Sequence, residues 1–244
     1  MSHIDVFKRY EIKYILTARQ KAALMEALEG RMEIDEYGRT TIRNVYYDTP
    51  DKSLIRRSLE QPVYKEKLRL RSYSRVNEDE NVFVEIKKKY AGIVYKRRTA
   101  VKLHQAESWL IGDTPQPYFS QITDEIEYMR RHYKNLEPSC FISYEREAYF
   151  PVDGSSLRLT LDENILGRSF DLSLLQGIYG DYIIGKELTL MELKSPGALP
   201  MWITEFLSGN GIYKTSFSKY GTYYKNNMNK TRRASSIKGG LRYA

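Results

Sequence analysis

Four short segments place charged residues at alternate positions: Lys65-Glu66-Lys67-Leu68-Arg69-Leu70-Arg71, Val84-Glu85-Ile86-Lys87, Arg158-Leu159-Thr160-Leu161-Asp162 and Leu190-Met191-Glu192-Leu193-Lys194. A β-strand turns successive side chains to opposite faces, so each segment reads as a strand with one apolar face for a core and one charged face. Carried along the chain, this parity gathers Glu11 and Lys13, Arg43, Lys67, Arg69 and Arg71, Glu85 and Lys87, Lys96 and Arg98, Arg146, Arg158, Thr160 and Asp162, and Glu192 and Lys194. Cations predominate in that set. Arginine forks match pairs of phosphate oxygens and lysine adds compact charge, so the lining suits a run of phosphates better than a single carboxylate. Like charges held in a partly desolvated space destabilise it unless an anion shares it. The chemistry expected is therefore polyanion binding, with Glu192 placed to share a divalent cation with substrate phosphates. A plainer alternative reads the same residues as Lys-Glu and Arg-Glu ladders on solvated strand faces.

The elements that must position these residues are mostly strands. Eight are expected, at Phe7 to Leu16, Thr40 to Tyr47, Val63 to Ser74, Asn81 to Tyr90, Ile93 to Leu103, Ser139 to Phe150, Leu157 to Asp162 and Glu187 to Lys194. Ala91-Gly92 reads as a hairpin turn and Val152-Asp153-Gly154-Ser155-Ser156 as a second turn. Thr17 with Gln20 resembles a capping box that opens a helix running to Leu28 and stopping at Gly30. Pro50 opens a short helix to about Ser58. Further helices are expected over Ala106 to Ile111, Phe119 to Tyr133, Leu199 to Leu207, and from Ser216 to about Asn226. So many charged strands suggest a sheet closed on itself, an α+β fold charged inside with its apolar outer face against helices.

At 244 residues the chain can form one sizeable domain, expected over residues 1–228. Lys and Arg number 39 against 31 Asp and Glu, a net charge of +8. Residues 229–244 carry Lys230, Arg232, Arg233, Lys238 and Arg242 and no acid, and read as a basic, disordered tail. The strand charges are thus a matter of placement more than of total. Cys140 is the single cysteine, which excludes a disulfide framework and reads as a buried strand residue. His3, His104 and His132 show neither metal-ligand spacing nor a nucleophile partner. With no apolar signal core and no bilayer-length apolar run, a cytoplasmic location is expected. The 21 tyrosines include Tyr46-Tyr47 and Tyr223-Tyr224, which fall where packing is the natural use, so no nucleic-acid partner is expected.

Taken in order, Phe7-Lys8-Arg9-Tyr10-Glu11-Ile12-Lys13-Tyr14, Val45-Tyr46-Tyr47-Asp48-Thr49, Lys67-Leu68-Arg69-Leu70-Arg71, Val84-Glu85-Ile86-Lys87, Tyr144-Glu145-Arg146, Leu157 to Asp162, Met191-Glu192-Leu193-Lys194 and Lys214-Thr215-Ser216-Phe217-Ser218-Lys219-Tyr220 resemble the VTC domain. That is the polyphosphate polymerase domain of the vacuolar transporter chaperone type, within the triphosphate tunnel metalloenzyme, or CYTH-like, superfamily. Each motif is weak alone; their order across nearly the whole chain is specific. The resemblance implies an eight-stranded antiparallel β-barrel with helices packed outside and a C-terminal closing helix, a basic tunnel within it, Mn²⁺ or Mg²⁺, and transfer of the terminal phosphate of ATP onto a polyphosphate chain. By the same resemblance Lys13, Arg43, Arg69, Arg71, Lys87, Lys96, Arg146 and Arg158 bind phosphate, Glu192 holds the metal, and Ser218 and Lys219 contact phosphate at the start of the closing helix. Parity adds Lys67, Arg98 and Lys194 to the phosphate-binding set. The superfamily's opening Glu-x-Glu-x-Lys here reads Arg9-x-Glu11-x-Lys13, which removes one metal ligand, weakens a hydrolase reading and leaves Glu11 to pair with a cation.

Phosphoryl transfer needs positioning and charge stabilisation more than a protein nucleophile. Arg69, Arg71, Lys87 and Lys219 are the catalytic candidates, clamping the transferred group. Eukaryotic relatives add an SPX domain and membrane helices, so the expected unit is a bare catalytic domain beside a separate membrane protein that receives the polymer; the oligomeric state is open. An inorganic triphosphatase and a non-catalytic polyphosphate-binding module are the alternatives.

Overall fold

Alternation of apolar and charged residues builds the sheet, and helices cover its apolar side. The computed structural model describes residues 10–91 and 93–240. Arg9, His3 and the turn residue Gly92 lie outside the described residues. The order is β1 (Tyr10–Leu16), α1 (Ala18–Leu28), β2 (Met32–Ile34), β3 (Thr40–Asp48), α2 (Ser53–Leu59), β4 (Tyr64–Ser72), β5 (Asn81–Tyr90), β6 (Ile93–Lys102), α3 (Leu103–Ile111), α4 (Gln121–His132), β7 (Glu137–Pro151), β8 (Arg158–Arg168), β9 (Asp181–Tyr182), β10 (Thr189–Ser195), α5 (Met201–Gly209), β11 (Lys214–Thr215) and α6 (Lys219–Gly240).

The strands form an 11-stranded sheet in the order β11-β1-β10-β8-β7-β3-β4-β5-β6, with β2 beside β7 and β9 beside β8. Its ladders are antiparallel. All eight expected strands are present, but the count is corrected from eight to eleven: β2, β9 and β11 are three, two and two residues long, too short to show alternation. Among the described residues no ladder joins β11 to β6, so the sheet is open where a closed barrel was expected. The α+β class stands. Helix α6 continues past Asn226 to Gly240, through most of the segment expected as tail; residues 241–244 lie outside the described residues.

Two compact units divide the chain. The first holds the described residues up to Ile42, Tyr144–Ile165 and Ile184–Phe217; the second holds Arg43–Ser143, Leu166–Ile183 and the described residues from Ser218 onward. In the first, Tyr14 and Leu16 of β1, Leu159 and Leu161 of β8, and Met191 and Leu193 of β10 pack beneath Leu24 and Leu28 of α1 and Ile203 and Leu207 of α5. In α1 the Thr17 hydroxyl accepts the Gln20 N–H and Gln20 Oε1 accepts the Thr17 N–H, the capping box expected. In the second unit, Val45 and Tyr47 of β3, Leu68 and Leu70 of β4, and Val82, Val84 and Ile86 of β5 pack with Trp109 and Leu110 of α3 and Ile126 and Met129 of α4. Leu68 and Leu70 are fully buried, each contributing about 1.5–3 kcal/mol. A one-residue slip of β4 would exchange them for Arg69 and Arg71, so burial fixes which residues remain on the opposite face.

Candidate phosphate-binding site

In the second unit the face opposite that core carries four successive cross-strand rungs: Arg71 with Phe83 and Ala100, Arg69 with Glu85 and Arg98, Lys67 with Lys87 and Lys96, and Lys65 with Lys89 and Val94. Glu85 is the one acid on these rungs, among the described residues. It is buried. Its Oε2 accepts from Arg69 Nε at 2.8 Å and Nη2 at 2.6 Å, Arg71 Nε lies 3.7 Å from the same oxygen, and Lys96 Nζ lies 3.0 Å from Oε1. Burial alone would raise the Glu85 carboxyl; the Arg69, Arg71 and Lys96 cations overcome it and hold it at about 2. Burial lowers the Lys96 ammonium, Glu85 partly restores it, and Arg71 and Arg69 lower it again, leaving it at about 8. One carboxylate thus organises three cations.

Strand β3 and helix α6 supply the fixed side of this face. Asn44 Oδ1 accepts from Arg71 Nε at 2.9 Å, and the Tyr46 hydroxyl accepts from Arg69 Nη1 at 2.9 Å. Tyr46 stacks on Tyr220 of α6 at 4.9 Å between ring centroids. The Tyr220 hydroxyl donates to Asp48 Oδ2 at 2.8 Å and lies 2.8 Å from Ser139 Oγ. Asp48 also accepts the N–H groups of Leu54 and Ile55, and Thr49 Oγ1 accepts that of Ser53, so these two side chains cap α2. Without them the first N–H groups of α2 would lack partners, since its N-cap residue Lys52 offers no side-chain bond. The same carboxylate therefore ties the start of α2 to the start of α6. Immediately before Tyr220, Ser218 Oγ accepts from Lys67 Nζ at 2.8 Å and from the Gly221 N–H at 3.2 Å, and Lys219 is the first residue of α6.

The first unit holds a differently balanced face. Its rungs are Glu11 with Lys194 and Arg158, Lys13 with Glu192 and Thr160, and Ile15 with Leu190 and Asp162. Lys13 Nζ lies 3.3 Å from Glu11 Oε1, 3.2 Å from Glu192 Oε1 and 3.1 Å from the Phe217 carbonyl. Burial would lower that ammonium, but Glu192 and Glu11 raise it above its ordinary value. Arg146 reaches from β7 to grip Asp162 through two bonds of 2.5 and 2.7 Å and lies 3.6 Å from Glu192 Oε2. Burial lowers Lys194, with Arg146 and Arg158 adding to the effect against Glu192 and Glu11. Here acids nearly match cations, whereas the β4–β6 face is overwhelmingly cationic.

Glu11 and Glu192 both flank one cation, Lys13, and Asp162 is occupied by Arg146. Among the described residues no group of three or more His, Cys, Asp or Glu side chains gathers to hold a metal. The donor set does not form an all-protein cage. A divalent cation here would have one carboxylate, Glu192, from the protein and its remaining ligands from elsewhere, an arrangement Mg²⁺ accepts.

The structure brings Lys67, Arg69, Arg71, Lys87, Lys96 and Arg98 onto one face, with Ser218 joined to it through Lys67. Lys13, Arg146, Arg158, Lys194 and Glu192 share the face of the first unit. Arg43 is the exception. It pairs with Ser72 and has the parity of Val45 and Tyr47, which pair with Leu70 and Leu68 of the core, while Asn44 and Tyr46 take the charged face. Burial and then the neighbouring Arg75 lower its guanidinium. Charge parity and the family resemblance both suggested Arg43; counting parity back from Tyr47 selects Asn44 and Tyr46 instead. The ladder alternative is also present in part, as Arg69 to Glu85, Lys13 to Glu192 and Arg146 to Asp162. Cys140 is buried, and burial pushes its thiol well up. No helix among the described residues is long and apolar enough to cross a membrane.

A structure from Bacillus halodurans, described as a "putative adenylate cyclase", shares this fold with a TM-score of 0.53 at 15% identity, over 86% of this chain and 95% of that one. Another so described, from Vibrio parahaemolyticus, gives 0.49 at 14% identity, over 88% of this chain and 97% of that one. No curated protein matches the chain. A family model, the VTC domain, matches residues 8–227, and the chain belongs to the VTC domain family.

Proposed function

We infer that this chain is a metal-dependent phosphotransferase that moves the terminal phosphate of a nucleoside triphosphate such as ATP onto a polyphosphate chain. The observation that carries this is the β4–β6 face, where Arg71, Arg69, Arg98, Lys67, Lys87 and Lys96 share three rungs with one acid, Glu85, among the described residues. Such a surface is repulsive by itself and becomes favourable when phosphates supply the missing charge.

Arg69 and Arg71 are pre-aimed by Tyr46 and Asn44 and Lys67 by Ser218, and Lys219 is the first residue of α6. Fixed donors of this kind stabilise charge on equatorial oxygens without reorganising during transfer. Glu192 is the carboxylate that would hold Mn²⁺ or Mg²⁺, which when bound draws charge from the phosphates and orients them. Lys13 and Arg146 lie 3.2 and 3.6 Å from the two Glu192 oxygens and hold that carboxylate in place.

The test is incubation of the purified chain with ATP and Mn²⁺, followed by gel separation of the products. A ladder of acid-labile, phosphatase-sensitive polymer is expected. Free phosphate without polymer would identify a triphosphatase, and tight polyphosphate binding with no turnover would identify a binding module.

A further inference from the structure

The rung formed by Lys65 and Lys89 lies outside every residue assigned to phosphate above. We propose that it extends the phosphate-binding face beyond the reach of a triphosphate and makes the site selective for longer phosphate chains. This rests on the function inferred above and adds its length preference.

Lys65 and Lys89 are direct cross-strand partners and continue the face of Lys67 and Lys87, two residues further along each strand. Consecutive rungs on one face are about 7 Å apart. A triphosphate held between the Arg69 rung and the Lys67–Lys87–Lys96 rung has its charge met there; the next rung is reached only by a chain that continues past it. Val94, the third member of that rung, is apolar, so among the described residues no acid of β4, β5 or β6 offsets the two ammonium groups. Burial and then the Lys89 charge lower the Lys65 ammonium, as expected for two cations sharing one small volume. Lys65 Nζ is held 3.3 Å from the Ser58 carbonyl of α2, which fixes its position beside the strand.

A bare phosphate chain fits this track better than nucleic acid does. Binding of single strands relies on aromatic platforms for the bases. The exposed tyrosines at this end, Tyr90 and Tyr95, stand on the opposite face: Tyr95 pairs with Lys88, and Lys88 binds Glu125 of α4.

The experiment is calorimetric titration of the full chain with tripolyphosphate and with long linear polyphosphate, for the wild type and for Lys65→Gln/Lys89→Gln. The double variant relieves a repulsion and should fold; an unchanged melting curve checks this. Long-chain affinity should fall about tenfold, and its dependence on salt should become shallower by roughly two released ions. Tripolyphosphate affinity should stay within about twofold. Lys65→Arg/Lys89→Arg should restore long-chain binding. Equal loss for both ligands, or loss for neither, overturns the proposed track while leaving the phosphotransferase assignment intact. A wild-type chain that binds neither ligand removes that assignment as well. Single-stranded oligonucleotide bound as tightly as polyphosphate, with the same loss in the double variant, overturns the proposal in favour of a nucleic-acid path.

Discussion

Glu85 is the residue whose removal separates stability from ligand binding most cleanly. It is 1% exposed and carries the charge that holds Arg69, Arg71 and Lys96 together. Glu85→Gln keeps the shape and removes the charge. The depression of its carboxyl from 4.5 to about 2 corresponds to about 3 kcal/mol at roughly 1.4 kcal/mol per tenfold. That agrees with the ~3–5 kcal/mol typical of breaking a buried ion pair by losing one partner. For a domain of this size the ligand-free melting temperature should fall by about 6–12 °C. Tripolyphosphate should reverse more of this loss in the variant than it adds to the wild type, because the ligand replaces the missing anion and no longer competes with it. Saturating ligand at a hundredfold excess over Kd stabilises the wild type by about 2.7 kcal/mol, and the variant should exceed that. The pH dependence has a definite sign. The folded carboxyl titrates below the unfolded one, so its contribution is complete above about 4.5 and is lost as pH falls toward 2. The Gln variant should therefore lose less stability than the wild type over that interval. Thermal melts with and without tripolyphosphate, paired with calorimetric affinities, read all of this. A ligand-free melting point within about 2 °C of wild type, or weaker tripolyphosphate binding by the variant, would refute the reasoning, since Glu85 would then be aiming the guanidinium groups more than restraining them.

Glu192→Gln should leave tripolyphosphate affinity within a few-fold of wild type while polymer formation with Mn²⁺ falls by orders of magnitude; wild-type synthesis on gels would exclude Glu192 as the metal carboxylate. Tyr220→Phe removes the bonds to Asp48 and Ser139 but keeps the stack on Tyr46, so it should cost about 1–3 kcal/mol, seen as a lower denaturant midpoint. Lys96 titrates near 8 without ligand, so bound phosphate raises it and tripolyphosphate affinity should decline above pH 8; in Lys96→Met that step should vanish from the affinity–pH profile.

How far the sequence alone reaches depends on the length of the pattern and on whether one side chain has one job. β4, β5 and β10 were legible because they run to seven or more residues and a one-residue slip would bury charged side chains. β9 and β11 were not, because two residues contain no period. The Thr17 and Gln20 capping box was legible because both partners lie within one turn. The caps of α2 hide in a strand's last residue and the one after it, Asp48 and Thr49, whose identities are explained only when α2 folds back over them.

The charged faces show the same limit in chemical form. A tally of lysine and arginine finds the cations but does not say which are already satisfied. In the first unit Lys13 and Arg146 are held by Glu11, Glu192 and Asp162, while along β4–β6 one acid, Glu85, serves Arg69, Arg71 and Lys96 and is the one acid on that face, among the described residues. That difference comes from register, because sliding β5 by two residues would set Glu85 opposite a different rung. Neutral residues escaped for the complementary reason. Asn44, Tyr46 and Tyr220 carry no charge to attract notice, yet they fix where Arg71 and Arg69 point and where α6 begins. A cationic face becomes a site only when such groups hold its charges in place before the anion arrives, since the ordering then need not be supplied by binding.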